Sequence, residues 1–209
     1  MVSGFSFSGV SSHFFSPQQR EKIENTVIGI AGAGGIGSNL AIMLVRSGFS
    51  RFVVADFDVV TISNLNRQAY TPAQLGRIKV DCLQEICTAI NPDLAMETHP
   101  VRVDRSNARG LFSSCDILFE AFDDAAAKAM LFSEFMAAGK LLIGVSGIAG
   151  TGKSDEIVIR KIHHHCFMVG DAVSAVGGTI KPHAPRVMVA AAKMADIALD
   201  RVLHPDEAC

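Results

Sequence analysis

Gly32-Ala33-Gly34-Gly35-Ile36-Gly37-Ser38, then Asp56, then Ser63-Asn64-Leu65-Asn66-Arg67-Gln68 follow one another in this 209-residue chain, and their reading decides the fold. Thr26 to Ala31, before the glycines, is a short apolar, β-branched run that reads as a strand. Asn39 to Ser47, after them, has helical spacing, and Gly48 ends it. Strand, GxGxxG, helix is a dinucleotide-binding arrangement. The glycines let the backbone turn tightly and approach phosphate, and the helix N-terminus offers unpaired N–H groups. Arg51 to Ala55 is a second strand. Asp56 at its tip, nineteen residues after Gly37, stands where a ribose-binding acid is expected. Gly32, Gly34, Gly35, Gly37 and Asp56 are thus candidate nucleotide-binding residues, and the arginine-bearing segment that follows can neutralise a polyphosphate. These features alone satisfy an NAD-dependent oxidoreductase. Glycines that only permit a tight turn are the plainer alternative.

Ser16-Pro17-Gln18-Gln19 starts a helix that runs to about Asn25: serine caps, proline takes the first position and glutamine follows three after the cap. Thr71-Pro72 caps a helix through Lys79, Leu83 and Ile86 to about Ile90, where Asn91-Pro92 stops it. Leu94 to Val101 reads as a strand, Ser106 to Phe112 as a short helix and Asp116 to Glu120 as a strand ending near Asp123-Asp124. Ala125 to Ala138 is a helix and Leu141 to Ser146 a strand. The tail differs. Glu156 to Ile162 alternates like a strand with one wet face, His163 to Val169 reads as its partner, and Pro185 to Leu203 is a helix. The expected fold is α/β: a doubly wound, mostly parallel Rossmann-like sheet with a small antiparallel C-terminal extension and a final helix. It is expected as one unit over 1–209, with an N-terminal segment (1–25), a nucleotide-binding core (26–146) and a hairpin extension with the last helix (147–209).

Composition narrows the function. Hydrophobic residues make up 49% of the chain, which argues against disorder, and the formal net charge of −2 offers no basic field for nucleic acid. Five cysteines without a CxxC pair read as reduced thiols in a cytoplasmic protein. No run of about 18 apolar residues suggests a membrane span, and no signal peptide is expected.

Two other motifs compete for attention. Gly147-Ile148-Ala149-Gly150-Thr151-Gly152-Lys153-Ser154 matches the P-loop pattern GxxxxGK[ST]. That pattern needs a helix after Lys-Ser, and the sequence that follows reads as a strand; a hairpin tip explains the small residues equally well. His163-His164-His165-Cys166 invites a metal assignment, but neighbours in a strand alternate faces, so a surface edge strand is the better reading.

Asp56-Phe57-Asp58-Val59-Val60 with the SNLNRQ segment, beside GAGGIGS, goes beyond a dehydrogenase. The chain strongly resembles the ThiF/MoeB/HesA family, bacterial relatives of ubiquitin-activating enzymes, from about residue 25 to 203. Gly170-Asp171 and Ala184-Pro185-Arg186-Val187 make it look most like the short forms often called ThiF family 2. The resemblance implies ATP and magnesium as cofactors. It implies adenylation of the C-terminal glycine carboxylate of a small ubiquitin-fold sulfur-carrier protein ending in Gly-Gly, in thiamine biosynthesis, by a homodimer. Gly35 would lie against the nucleotide, Asp56 would hold the ribose, and Ser63, Asn64 and Arg67 would form the phosphate-facing segment with Lys79. Asp123 would bind magnesium, and Asp124 stands beside it where the family has asparagine. Arg67, Lys79 and Asp123 are the implied catalytic residues. The chemistry suits them: an attacking carboxylate nears a polyphosphate, so cations must offset the repulsion, and no base is needed for a nucleophile already ionised at neutral pH.

Each has a plainer reading. Asp123 can cap the helix near Ala125, Lys79 can be a solvated helix face, Arg67 can pair with Asp56 or Asp58, and Asp58 reads equally as structural or as support for its neighbours. The chain also departs from the family. Ser12-His13 stands where short forms carry Arg-His reaching across a dimer, and Arg20 sits in the predicted first helix. No CxxC pairs exist for the structural zinc of larger relatives, so none is expected. Val169 and Ala190 occupy positions where short forms often have cysteine, which leaves Cys166 as the nearby thiol, and the missing arginine makes a scaffold without activity a further alternative.

Overall fold

The computed structural model describes residues 6–174 and 180–205. Helix α1 (Phe7–Ser11), which the sequence reading lacks, precedes α2 (Pro17–Asn25), where Ser16 and Gln19 form the expected reciprocal cap. Then come β1 (Val27–Ala31), α3 (Gly35–Arg46), β2 (Arg51–Ala55), α4 (Lys79–Ile90), β3 (Ala95–His99), α5 (Ala108–Phe112) and β4 (Ile117–Glu120). The chain continues through α6 (Ala125–Phe135), β5 (Leu141–Val145), β6 (Val158–His163), β7 (Cys166–Gly170) and α7 (Ala184–Leu203).

The strands form one sheet in the order β3-β2-β1-β4-β5-β7-β6, parallel throughout except for the antiparallel β6–β7 pair. The strand order reverses between β1 and β4. That is the doubly wound topology the alternating pattern predicts, with the antiparallel extension and closing helix in place. Period-2 alternation divides the core. Ile28, Ile30, Ile117 and Phe119 pack with α3, α4 and α7 on one face, while Ala31, Val53 and Leu118 pack with α5 and α6 on the other.

Three local readings are corrected. Helix α3 begins at Gly35, not Asn39, so the glycines form its first turn. The helix expected from Thr71 begins at Lys79. Thr71 does cap, but it caps a 3-10 turn over Pro72–Gln74, and Gly76 at φ 79° then redirects the chain into the Val59–Ile78 bridge. The stretch after β5 is not a hairpin tip. It bridges through Ala149 and Gly150 to Pro182, and the hairpin turn itself falls at His164-His165.

Candidate nucleotide-binding site

A cavity of about 480 Å³ opens at the C-terminal ends of the strands, where the order reverses, and Gly32 and Ala121 on either side of that point line it. Here two crossover connections diverge and leave a crevice. Gly32 N–H donates to Ala55 O, and Gly32 lies so close to β4 that an added Cβ would sit 2.8 Å from Ala121 O. Gly37 is tighter: an added Cβ would be 1.8 Å from Gly32 O. Gly37 therefore seats α3 against the turn and does not line the cavity, whereas Gly32, Gly34 and Gly35 do. No side chain caps α3 at Gly34. Its first-turn N–H groups are left for an anion, at the positive end of the helix dipole.

Asp56, at the tip of β2, accepts from Ala33 N–H at 2.6 Å through Oδ2 and from Asp58 N–H at 2.8 Å through Oδ1. Each oxygen keeps a lone pair for a further donor. One carboxylate thus fixes the glycine loop and still faces the cavity.

The SNLNRQ segment is strapped to the glycine helix by residues that the sequence reading did not single out. Asn39 Nδ2 donates to Gly35 O at 2.7 Å and to Arg67 O at 2.8 Å. Ser38 Oγ accepts from Ala69 N–H at 3.1 Å, and the Tyr70 hydroxyl donates to Ala33 O at 2.7 Å. Burial, then Asp56, push the Tyr70 phenol well up, so it remains a donor. Asn64 and Arg67 line the cavity, but Ser63 does not. Asn64 Oδ1 is occupied, accepting from Thr61 N–H at 2.9 Å. Arg67 pairs with neither Asp56 nor Asp58. Its Nη1 donates to Ser63 O at 2.9 Å and Asn66 Oδ1 at 2.7 Å, and its stem passes above Gly35. The rest of the guanidinium fork has no protein acceptor among the described residues, so the fork is held by its neighbours and available to an anion.

Lys79 is no solvated lysine. Its side chain is 5% exposed, and Nζ meets Asp58 Oδ2 at 2.6 Å, with both residues on the cavity wall. This resolves Asp58 as the partner of Lys79. Asp123 and Asp124 line the same cavity. Asp124 is the cap of α6, accepting from Ala127 N–H at 2.8 Å. Asp123, freed of that task, is exposed and has no partner among the described residues. Beneath it Glu120, wholly buried, pairs with Lys128, and neither residue drew attention in the sequence. Burial pushes the Glu120 carboxyl up, against the pull of Lys128.

The rival motifs lack the geometry their chemistry needs, although Gly147 and Ile148 do line the cavity. One 3-10 turn, Ser154–Glu156, follows Lys153 before β6 begins, so no helix meets the P-loop-like glycines. Lys153 is 74% exposed at its side chain, pairs with Glu156 at 3.3 Å and does not line the cavity. No group of three metal-binding side chains forms among the described residues, His163 to Cys166 included. Cys166, Cys82, Cys87 and Cys115 are buried free thiols, and burial pushes all four up, Cys87 to about 12. Cys209 lies outside the described residues. Arg186, from the Ala184-Pro185-Arg186-Val187 run, is buried: it reaches Asp171 at 2.5 Å and the carbonyls of Gly152 and Lys153 at 2.8 and 2.9 Å. The two tail motifs therefore meet as one ion pair that pins the 147–153 loop.

A doubly wound sheet with a glycine-started helix, an acid after β2 and a cavity at the strand reversal defines a Rossmann-like α/β protein. The chain belongs to the ThiF family, whose model matches residues 10–204. It is similar to the adenylyltransferase and sulfurtransferase UBA4 of Scheffersomyces stipitis, at 29% identity over 141 residues, 67% of this chain and 32% of that protein. It is also similar to ubiquitin-like modifier-activating enzyme 5 of Drosophila persimilis, at 42% identity over 79 residues, 38% of this chain and 21% of that protein. The chain thus spans a third or less of these relatives. Among solved structures, the fold matches E. coli tRNA N6-threonylcarbamoyladenosine dehydratase TcdA in complex with ATP, with a TM-score of 0.85 at 18% identity, covering 94% of this chain and 93% of that one. E. coli MccB with ATP matches at a TM-score of 0.73 and 18% identity, over 91% of this chain and 59% of that one.

Proposed function

We propose that this chain is an ATP-dependent adenylyltransferase that activates the C-terminal glycine carboxylate of a ubiquitin-fold sulfur-carrier protein. The observation that carries the reading is the cavity itself. The glycine loop, Arg67, Lys79 and the free carboxylate Asp123 all line one space. A dinucleotide oxidoreductase needs the glycines and Asp56 but leaves those three side chains without a task.

Asp56 offers its remaining lone pairs to ribose hydroxyls, and the uncapped start of α3 receives phosphate. The incoming glycine carboxylate attacks the α-phosphorus. A new carboxyl–phosphorus bond forms, the bond from the α-phosphorus to the bridging oxygen breaks, and pyrophosphate leaves with the electron pair. Arg67 and Lys79 offset the charge gathering there, worth about 2.7–4 kcal/mol for one well-placed donor. Asp58 holds Lys79 in place. The Asp123 carboxylate suits a hard divalent cation, with magnesium as the nucleotide's companion, and that cation would add charge stabilisation of its own. The described residues act as one ThiF-type unit, cytoplasmic and homodimeric. The likeness of residues 170–171 and 184–187 to the short ThiF forms supports thiamine biosynthesis as the setting.

The test is ATP–pyrophosphate exchange with a ubiquitin-fold carrier ending in Gly-Gly. Exchange that needs the carrier's last glycine is expected. Absence of exchange with every such carrier, from folded protein that binds ATP, would overturn the acceptor.

A further inference from the structure

Glu120 ends β4 with no exposed surface, and Lys128 lies at the start of α6. Lys128 Nζ donates to Glu120 Oε1 at 2.9 Å, to Glu120 Oε2 at 3.0 Å and to Val145 O, at the tip of β5, at 3.0 Å. An ammonium has three donors, so Lys128 has none left for a ligand even though it lines the cavity. The same carboxylate fixes the next stretch of chain: Phe122 N–H donates to Glu120 Oε1 at 2.8 Å. On the other side, Asp124 is held as the helix cap at 2.8 Å from Ala127 N. Asp123 is therefore bracketed by two anchored residues, while its own carboxylate has no partner among the described residues. A free carboxylate on an anchored backbone fits a divalent cation, because outer contacts that orient a ligand hold the cation's geometry.

We propose that the Glu120–Lys128 pair is a positioning device for Asp123, setting the carboxylate that receives the divalent cation. The inference rests on the reading of Asp123 as the cation ligand of an ATP site. Lys128 touches neither nucleotide nor cation; it acts by tying the tips of β4 and β5 to α6.

The test uses manganese, a paramagnetic stand-in for magnesium, titrated into the protein with a non-hydrolysable ATP analogue and followed by electron paramagnetic resonance. Analogue affinity without metal is measured in parallel. Lys128→Met is expected to weaken manganese binding about tenfold, while metal-free analogue affinity stays within about twofold. Lys128→Arg, which can still bridge Glu120, should restore most of it. Should Lys128→Met not fold, Glu120→Gln/Lys128→Met removes both charges together and carries the same expectation. Unchanged manganese affinity in a folded variant overturns the positioning role, and equal loss in both titrations would make Lys128 a phosphate contact instead. Asp123→Asn is the reference. If it too leaves manganese binding unchanged, the underlying site reading falls. If it weakens binding and Lys128→Met does not, only the positioning role falls.

Discussion

Asp123 and Asp124 are adjacent carboxylates with separate tasks, because only Asp124 takes the cap of α6. Asp123→Asn should therefore leave the protein folded and remove most pyrophosphate exchange, at about 3 kcal/mol or a hundredfold in rate. Exchange at the wild-type rate, with an unaltered magnesium dependence, would assign the cation to another ligand. The cations divide as sharply. Arg67→Ala and Lys79→Ala should weaken ATP binding or abolish adenylation, whereas Lys153→Ala, solvent-exposed and away from the cavity, should leave ATP affinity within about twofold in calorimetry. Loss of binding in Lys153→Ala alone would restore the P-loop. Asp56, Arg67 and Lys79 drew attention in the sequence but their pairings did not, and Arg102 and Lys128 on the same cavity wall went unnoticed. Lys79 meets Asp58 across 21 positions and Asn39 meets Arg67 across 28, and such pairings appear only once the chain is folded. Glu120 and Lys128 escaped for a different reason. A lone acid at a strand tip and a lysine in an alanine-rich helix carry no motif, and their meaning arises from the complete burial of Glu120 against Lys128.

Where a local signal names an element, sequence and structure agree: the Ser16–Gln19 capping box opens α2, and β2 spans Arg51–Ala55 as expected. Boundaries drifted where glycine has two uses. At α3 the glycines read as loop but form the first helical turn, because an anion-ready helix start needs close backbone approach. At Gly76 a positive φ breaks what the capping signal at Thr71 opens, and it delays α4 to Lys79, which brings that lysine into the cavity. Gly37 shows the constraint on α3 most plainly. Gly37→Ala would place a methyl 1.8 Å from Gly32 O, so α3 must shift or the turn must open. A loss of about 1–3 kcal/mol by chemical denaturation is expected, as for overpacking elsewhere, together with weaker ATP binding. Unchanged stability would mean that the turn is more yielding than its contacts indicate.

At the scale of the molecule, alternating strands and helices were enough to predict a doubly wound sheet, since buried parallel strands read as apolar runs and helices as periodic ones. The order β3-β2-β1-β4-β5-β7-β6, with β7 inserted between β5 and β6, was not readable, because strand neighbours across crossovers leave no local trace. That order sets the cavity at the β1–β4 reversal and joins the tail to it, with Val187 and Ile148 on its wall. Everything proposed for this chain depends on the cavity taking ATP in place of a nicotinamide dinucleotide. The direct measurement is the unfolding free energy of the protein with ATP-magnesium and, separately, with NAD, each at a hundred times its dissociation constant or, for a ligand without detectable affinity, at millimolar concentration. ATP-magnesium should stabilise the protein by about 2.7 kcal/mol and NAD by nothing measurable. A clear gain with NAD and none with ATP would contradict the account.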